Sequence, residues 1–266
     1  MKTYTPSLIW ITGASSGIGE ALALEFARKG ASLILTARRE AVLEEVAKKC
    51  RQAGAPQTWV YPLDMSDEAA IFKRAEAITA EAGLPELLIN NAGISQRSFV
   101  KETEMKVYRR IMEVDFFGAI ALTKALLPAM VRRGSGQIAV LSSLAGKFGT
   151  PMRSGYCAAK HALHGFFDAL RAEYHQQGIG VTLLCPSFIQ TEVSRNALTA
   201  SGEPLQKMDD AIAQGMPVDV FARKAAAAIG QRREEVILGG KERMGAWLHR
   251  FFPRWFRGYL RKAPVR

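Results

Sequence analysis

Short apolar runs alternate with longer amphipathic stretches along most of this chain of 266 residues. Seven runs rich in Leu, Ile and Val occupy residues 7–11, 32–36, 57–61, 86–90, 137–142, 180–185 and 235–238. Their apolar residues are continuous and do not alternate, which is typical of parallel strands covered on both faces. Helical patterns at 17–29, 39–52 and 66–82 separate the first four runs. The alternation predicts right-handed crossovers and an α/β fold whose doubly wound parallel sheet has seven strands.

No repeat, low-complexity segment or break in composition divides the chain, so we expect one domain over residues 1–240, followed by a basic tail over 241–266. The chain is 48% hydrophobic with a mean hydropathy of −0.02, as in a globular protein with a sizeable core. No run of 18 apolar residues occurs, and the apolar run at the amino terminus is short for a signal peptide. We therefore expect no membrane-spanning helix and a cytoplasmic location.

The cysteines and histidines offer little metal or redox chemistry. Cys50, Cys157 and Cys185 are odd in number and lack a CxxC spacing, which argues against a disulfide framework and against a zinc site. The four histidines also lack the spacing of metal ligands. The sequence therefore predicts no metal site.

A glycine-rich segment, ITGASSGIGE, follows the first predicted strand and opens the first predicted helix. Glycines let the backbone approach a pyrophosphate, and the start of a helix offers free N–H groups and the positive end of a dipole. In a doubly wound sheet this first turn lies where the strand order reverses, which is where dinucleotides bind. A plain turn capped by Ser16 is the alternative. The position favours a dinucleotide site formed by Gly13, Ser15, Ser16, Gly17, Ile18 and Gly19.

Two arginines follow the second predicted strand, in the sequence LTARRE. An acidic residue at this place would bind the ribose hydroxyls of NAD(H), whereas guanidinium groups suit a 2′-phosphate. A solvated helix start is the alternative, although arginines oppose the helix dipole there. Arg38 is therefore predicted to contact the 2′-phosphate with the help of Arg39, and NADP(H) is the expected cofactor in preference to NAD(H).

Further motifs follow in a fixed order along the chain: Thr12 before the glycine-rich turn, Asp64 after the third strand, NNAG at 90–93, Ser143 after the fifth strand, YCAAK at 156–160, and CPS at 185–187 followed by Thr191. Each motif is weak alone. In this order and spacing the sequence resembles the short-chain dehydrogenase/reductase family from residue 7 to the region of residue 240, and within it the dehydrogenase/reductase member 7 group. The resemblance implies a Rossmann-type fold, here a single domain with a carboxy-terminal helical extension.

The resemblance also implies roles for the matching residues. Beyond the glycine-rich turn, the cofactor site is assigned to residues at the ends of four strands, namely Thr12, Asp64, Asn91, Ala92, Gly93, Pro186, Ile189 and Thr191. Among the catalytic residues, Ser143 would bind the substrate oxygen, Tyr156 would transfer the proton, and Lys160 would hold the nicotinamide ribose. Homodimers or homotetramers formed through helices at 104–132 and 155–177 are implied as well.

The types and spacing of these residues suit the reduction of a carbonyl group. Hydride transfer leaves negative charge on the oxygen, so a proton donor is required within hydrogen-bond reach. Lys160 follows Tyr156 by four residues, on the same face of a helix, where its ammonium stabilises a tyrosinate. The hydroxyl of Ser143 can fix the substrate oxygen beside Tyr156. An exposed amphipathic pair at a helix start is the alternative to catalysis.

Two positions depart from the family pattern. Asp115 stands where relatives usually have an asparagine that helps to hold a water linked to the lysine. It either keeps that relay role, through its backbone carbonyl or as a carboxylate facing Lys160, or it shifts the relay, or it serves helix packing. Ser187 stands where relatives usually have glycine, and a side chain there would narrow the nicotinamide pocket.

The tail repeats an apolar pair every four residues, at 247–248, 251–252, 255–256 and 259–260, and arginines fill the opposite helix face. From Lys241 onward it carries eight basic residues and one acidic residue, a net charge of +7 out of +11 for the whole chain. Pro253 is expected to divide it into two helices. Basic amphipathic helices with aromatic residues are typical of peripheral contact with a membrane, here its inner face. The alternatives are a lid over the substrate pocket and a subunit interface.

These observations predict an NADP(H)-dependent oxidoreductase that interconverts a ketone or aldehyde and an alcohol. Its substrate is expected to be a lipophilic small molecule enclosed by residues 188–216 and the tail. Two other classes remain, a catalytically silent NADP(H)-binding sensor and a membrane-surface interaction protein. The intact Ser143, Tyr156 and Lys160 favour the enzyme. Nucleic acid is not an expected partner, because the charge is confined to an aromatic tail without a nucleic-acid-binding motif.

Overall fold

The computed structural model describes residues 6–262 and contains one parallel sheet in the order β3-β2-β1-β4-β5-β6-β7. The strands are β1 Leu8–Thr12, β2 Ser32–Ala37, β3 Thr58–Pro62, β4 Leu87–Asn90, β5 Gly136–Leu141, β6 Ile179–Pro186 and β7 Glu235–Leu238. Each begins and ends within one residue of its predicted position. The order reverses between β1 and β4, so the predicted doubly wound, Rossmann-type sheet is confirmed.

Helices cover both faces of this sheet. The α-helices of the described residues are α1 Gly17–Arg28, α2 Glu40–Ala53, α3 Glu68–Ala82, α4 Met105–Met112, α5 Gly118–Arg133, α6 Ser154–Tyr174, α7 Asp210–Ala213, α8 Val218–Gly230, α9 Met244–Phe251 and α10 Pro253–Lys262. On one face, α1, α2 and α8 pack around Phe26 and Phe221. On the other, α3, α5 and α6 pack around Trp10 and Phe167. Because both faces of each strand are covered, the strands are continuously apolar.

A π-helical turn, Glu113–Phe117, joins α4 to α5 and makes one continuous helix from Met105 to Arg133. By length and composition alone this helix could cross a membrane, with a mean hydropathy of 1.6 over 18 residues. One such helix is weak support for a membrane span, because the core helix of a soluble protein passes the same test. Half of this stretch is buried, with Leu122 and Leu126 in the core, and we interpret it as a core helix.

The tail consists of a short 3-10 turn, Lys241–Arg243, followed by α9 and α10. As predicted, the helix breaks just before Pro253. Residues 1–5 and 263–266, the outer ends of the predicted domain and tail, lie outside the described residues. The boundary at residue 240 stays a prediction.

Candidate active site

The glycine-rich turn between β1 and α1 forms a tight cradle. Gly13 has a φ of +65°, and a Cβ there would lie 2.8 Å from Cα of Ala92. A Cβ at Gly19 would lie 2.3 Å from the carbonyl oxygen of Gly13, so only glycine fits both positions. Ser16 occupies the N-cap position of α1, but its side chain accepts no hydrogen bond from a backbone N–H group of the helix. The alternative of a plain turn capped by Ser16 is therefore not observed. The first N–H groups of α1 are therefore available to an anion such as a pyrophosphate.

Two side chains fasten this turn to the end of β4. Oγ1 of Thr12 accepts hydrogen bonds from the backbone N–H groups of Asn91 and Ala92, both at 3.0 Å. Nδ2 of Asn91 donates to the carbonyl oxygens of Thr12, at 2.8 Å, and of Gly13, at 3.1 Å. The two strands at the reversal point are thereby held in one rigid unit.

A cleft of about 940 Å³ lies at the carboxyl ends of the strands. All the predicted site residues line the cleft except Thr12 and Gly19. These two residues belong to the glycine-rich segment but do not reach the cleft surface. The lining residues predicted from sequence are Gly13, Ser15, Ser16, Gly17, Ile18, Arg38, Arg39, Asp64, Asn91, Ala92, Gly93, Asp115, Ser143, Tyr156, Lys160, Pro186, Ile189 and Thr191. The fold therefore brings together residues that are spread over 179 positions of the sequence.

The end of the cleft beside β2 and β3 is basic. Nη2 of Arg39 lies 3.5 Å from Oγ of Ser15. Partial burial alone would raise the pKa of Asp64, but hydrogen bonds from Ser66 and the charges of Arg38 and Arg110 outweigh it, so this pKa lies below its ordinary value. Arg110 lines the cleft from α4 and was not predicted from sequence, because only the packing of α4 brings it there.

Tyr156 and Lys160 lie in the first turns of α6, with the lysine side chain only 5% exposed. Nζ of Lys160 is 5.5 Å from the ring centroid of Tyr156. It donates a hydrogen bond to the carbonyl oxygen of Leu141 at 2.9 Å and lies 3.1 Å from Oδ2 of Asp115. A buried lysine with these partners does not fit the alternative of an exposed amphipathic pair.

Asp115 belongs to the π-helical turn, and its side chain is fully buried. Oδ1 accepts a hydrogen bond from the backbone N–H of Ile94 at 2.7 Å, which leaves Oδ2 to face Lys160. Burial raises the pKa of Asp115 despite the positive lysine. Burial alone would lower the pKa of Lys160, but the charge of Asp115, the neighbouring Tyr156 and the hydrogen bond to Asp115 together outweigh it and raise that pKa. Several arrangements of Asp115 were open from the sequence, and the structure shows the one in which its carboxylate faces Lys160.

Ser143 follows β5 and begins a 3-10 turn, Leu144–Gly146. Its Oγ accepts a hydrogen bond from the backbone N–H of Ala145 at 3.1 Å and donates to the carbonyl oxygen of Pro186 at 3.5 Å. The hydroxyl therefore connects the carboxyl ends of β5 and β6 across the cleft. This bond is long, so a substrate oxygen can compete for the hydroxyl.

Ser187 is tied to the base of the tail. Its hydroxyl donates to Oε1 of Glu242 at 2.6 Å, and the same oxygen accepts from the N–H of Gly240 at 3.0 Å. Partial burial would raise the pKa of Glu242, but these hydrogen bonds outweigh it and lower that pKa. Glu242 was not predicted from sequence, because nothing local relates it to a loop that precedes it by 55 residues.

The other end of the cleft combines apolar and polar side chains, and its apolar residues are the ones relevant to a lipophilic ligand. Its walls come from the loop after β4, from the helix Met105–Arg133 and from the segment 188–216, and include Ile94, Val107, Val114, Val193, Leu198 and Ile212. Of the described tail residues, none lines the cleft, so the expected contribution of the tail to the pocket is not observed. The segment 188–216 is held by Asp209, whose Oδ2 accepts hydrogen bonds from Arg97 at 3.2 Å and Arg153 at 3.1 Å.

Within residues 6–262, no three or more His, Cys, Asp or Glu side chains are grouped as metal ligands would be. The thiols of Cys50, Cys157 and Cys185 are all free and buried. The cleft instead suits a dinucleotide. It contains a glycine-rich turn at a helix N-terminus, a basic end and a buried lysine. These residues are suited to hold a nicotinamide cofactor and to place a proton donor beside it.

Comparison with known proteins yields a family and several relatives. The family described as short chain dehydrogenase matches residues 7–201. The chain is 42% identical over 244 residues to dehydrogenase/reductase SDR family member 7B of Bos taurus, covering 90% of this chain and 75% of that protein. It is also 42% identical over 234 residues to dehydrogenase/reductase SDR family protein 7-like of Drosophila melanogaster, covering 87% and 72%.

Solved structures with the same fold are also found. A short-chain dehydrogenase from Streptomyces avermitilis has a TM-score of 0.81 at 27% identity, with 96% of each chain covered. Two others, each 24% identical, share the fold. One is an alcohol dehydrogenase from Thermococcus sibiricus complexed with 5-hydroxy-NADP, with a TM-score of 0.75 and coverage of 88% and 97%. The other is a short chain dehydrogenase/reductase from Burkholderia phymatum in complex with NAD, with a TM-score of 0.84 and coverage of 96% each.

Proposed function

The chain belongs to the short-chain dehydrogenase family of oxidoreductases, and from this premise we propose that it interconverts a ketone or aldehyde and an alcohol with NADP(H). One observation carries the proposal. Tyr156 lies in the cleft beside the buried ammonium of Lys160, on the same helix face, and the glycine-rich turn of α1 lines the same cleft. A proton donor and a dinucleotide cradle in one cavity are what hydride transfer to a carbonyl requires.

The residues of the cleft have separate tasks in this reaction. Ser143 hydrogen-bonds the substrate oxygen and holds it beside Tyr156, which gives its proton to that oxygen during reduction and takes it back during oxidation. Lys160 stabilises the tyrosinate with its charge, and Asp115 keeps the lysine charged. A bound nicotinamide would supply or accept the hydride.

The preference for NADP(H) rests on the basic end of the cleft. Arg38 and Arg39 line it where an acidic residue would favour NAD(H), and Arg110 adds a third guanidinium group. Planar, permanently charged guanidinium groups bind a phosphate through forked hydrogen bonds. The related solved structures include complexes with either kind of cofactor, so the preference is this chain's own property to test.

The substrate class rests on the apolar end of the cleft. Six aliphatic side chains contribute to that wall, and burying them against a ligand is favourable in proportion to the apolar area covered. A lipophilic ketone or aldehyde therefore fits better than a small polar one. The described residues of the tail do not line this pocket, and the tail reaches it only indirectly, through the hydrogen bond from Ser187 to Glu242.

Purified protein should be tested with NADPH and with NADH against a panel of lipophilic and small carbonyl compounds. We expect turnover with NADPH, strongest on lipophilic ketones, and a loss of about 10²–10⁴-fold in kcat for Tyr156→Phe. Tyr174→Phe, at the far end of the same helix, is the matched control and should keep its activity.

Binding of NADPH, followed by its fluorescence, should persist in Tyr156→Phe, because the ring remains. Near-normal reduction by Tyr156→Phe would contradict the mechanism. Tight NADPH binding without turnover on any compound of the panel would favour the second candidate, a silent NADP(H)-binding sensor.

Assembly into a homodimer or homotetramer is part of the proposal. The helix Met105–Arg133 leaves half of its most apolar stretch outside the core, including Phe117, which is exposed. A second copy packed on that helix and on α6 would cover it. Light scattering of the purified protein tests this, and a monomer at micromolar concentration would contradict it.

A further inference from the structure

The two tail helices, with Phe252 between them, expose an unusual number of large apolar side chains. Six of them are between 53% and 61% exposed, although residues of this kind normally lie inside a protein. Together they form what we call the tail face, which consists of Met244, Trp247, Phe251, Phe252, Trp255 and Tyr259. Apolar patches of this kind mark interaction sites.

The aromatic side chains of the tail face contact one another in two groups, one on each side of the break at Pro253. The ring of Trp247 lies 5.0 Å from that of Phe251 and 5.8 Å from that of Phe252, measured between centroids. Trp255 and Tyr259 stack at 6.0 Å on α10. Because α9 and α10 also pack against each other, the tail face is made of grouped rings and not of scattered single residues.

A different set of residues anchors these helices to the body. Phe256 is only 3% exposed and meets the ring of Phe148 edge to face, at 4.8 Å between centroids. Gly245 allows this packing, since a Cβ there would lie 3.2 Å from Phe148 and 3.3 Å from Phe256. The side of α10 that carries Phe256 therefore packs against the domain. The tail face does not take part in this packing and stays exposed to solvent.

The helices that carry the tail face are also strongly basic. Residues 241–262 carry seven basic side chains, all exposed, namely Lys241, Arg243, Arg250, Arg254, Arg257, Arg261 and Lys262. Among the described residues, none of these seven forms an ion pair with an acidic side chain. The one acidic residue of this stretch, Glu242, is engaged by Ser187 and Gly240.

We propose that the tail face docks on the surface of a lipid bilayer that contains anionic headgroups. Aromatic rings enter the boundary between headgroups and acyl chains, while arginines and lysines around them bind the anionic headgroups. A second copy of the chain is a poorer occupant, because its tail carries the same seven basic residues and the two tails would repel each other. The docking does not depend on the proposed reaction, so either idea can fail without the other.

The test is flotation of the full chain with vesicles of phosphatidylcholine, alone or mixed with phosphatidylglycerol. We expect binding to the mixed vesicles that weakens as salt is raised, and little binding to phosphatidylcholine alone. The double variant Trp247→Glu/Trp255→Glu should bind at least tenfold more weakly. Phe72→Glu, which changes an aromatic side chain that is 41% exposed on α3, is the matched control and should bind like the wild type.

Single variants Arg254→Gln and Arg257→Gln should each weaken binding about fivefold, as expected for one charge near an anionic surface. Circular dichroism and thermal unfolding of every variant establish that it is folded. Absence of wild-type binding, equal binding to both vesicle types, or equal weakening by Phe72→Glu would each overturn the proposal. So would a double variant that binds vesicles normally but changes the oligomeric state, because the tail face would then be an interface between copies.

Discussion

The ammonium of Lys160 lies 3.1 Å from the carboxylate of Asp115, and both side chains are buried beneath the cleft. Burial disfavours each charge separately, yet the pair keeps the lysine protonated, because the carboxylate raises the pKa of Lys160. The hydrogen bond from Ile94 to Oδ1 fixes the orientation of Asp115. Asp115 is therefore a direct partner for the lysine.

Asp115→Asn should move the alkaline limb of the kcat/KM profile to lower pH. Without the carboxylate, burial dominates and lowers the pKa of Lys160, so the lysine loses its proton earlier as the pH rises. Breaking a buried pair should also reduce the free energy of unfolding by about 3–5 kcal/mol. The pH profile and urea denaturation are to be measured beside Asp67→Asn, the N-cap of α3. An unchanged profile would leave Asp115 a packing role only.

Arg38→Asp should weaken NADPH binding about tenfold to a hundredfold more than NADH binding, because a charge-assisted contact to the 2′-phosphate is lost and a repulsion is introduced. Kd values from fluorescence titration with both cofactors measure this. Arg74→Asp on α3 makes the same change of net charge outside the cleft and should affect neither cofactor. An equal loss of affinity for NADPH and NADH in Arg38→Asp would show that Arg38 does not bind the 2′-phosphate.

Asp209→Asn should loosen the segment 188–216 over the apolar end of the cleft. Two largely buried guanidinium groups, of Arg97 and Arg153, share the Asp209 carboxylate, and the neutral amide leaves both without its charge. We expect a fall of about 3–5 kcal/mol in the free energy of unfolding and a higher KM for the substrate. Asp210→Asn, the neighbouring residue at the start of α7, is the control. If both variants behave alike in urea denaturation, the clamp is energetically unimportant.

His164 should make the protein less stable in acid. Burial and the charge of Lys147 lower its pKa from 6.5 to about 4, while Nε2 lies 2.9 Å from Oγ of Ser142. The unfolded chain binds a proton below pH 6.5 and the folded chain does not, so stability is full above pH 6.5 and falls toward pH 4. The loss is at most about 3 kcal/mol, because solvent screens part of the effect. His164→Gln should remove this part of the pH dependence of unfolding, and His175→Gln, an exposed histidine, should keep it.

The positions of the strands, of the glycine-rich turn and of the break in the tail can be predicted from short stretches of the sequence. The strands were recognisable because buried parallel strands must be apolar on both faces, and the first turn because glycines are needed where backbones approach closely. The break in the tail followed from Pro253. These features depend on neighbouring residues in the chain, so a single sequence contains them. The family followed from the order of the motifs, which is also a property of the sequence.

Contacts between distant segments were decided only by packing. A π-helical turn, invisible in the hydrophobic pattern, points Asp115 at Lys160, and the packing of α4 brings Arg110 to the cleft. Ser187 reaches Glu242 across 55 residues. In the tail, the sequence could not say which apolar residues would be covered, and the structure buries Phe256 but leaves Trp255 exposed. An amphipathic pattern indicates that one face of a helix is apolar. Which of its residues become buried depends on the shape of the folded domain against which the helix packs.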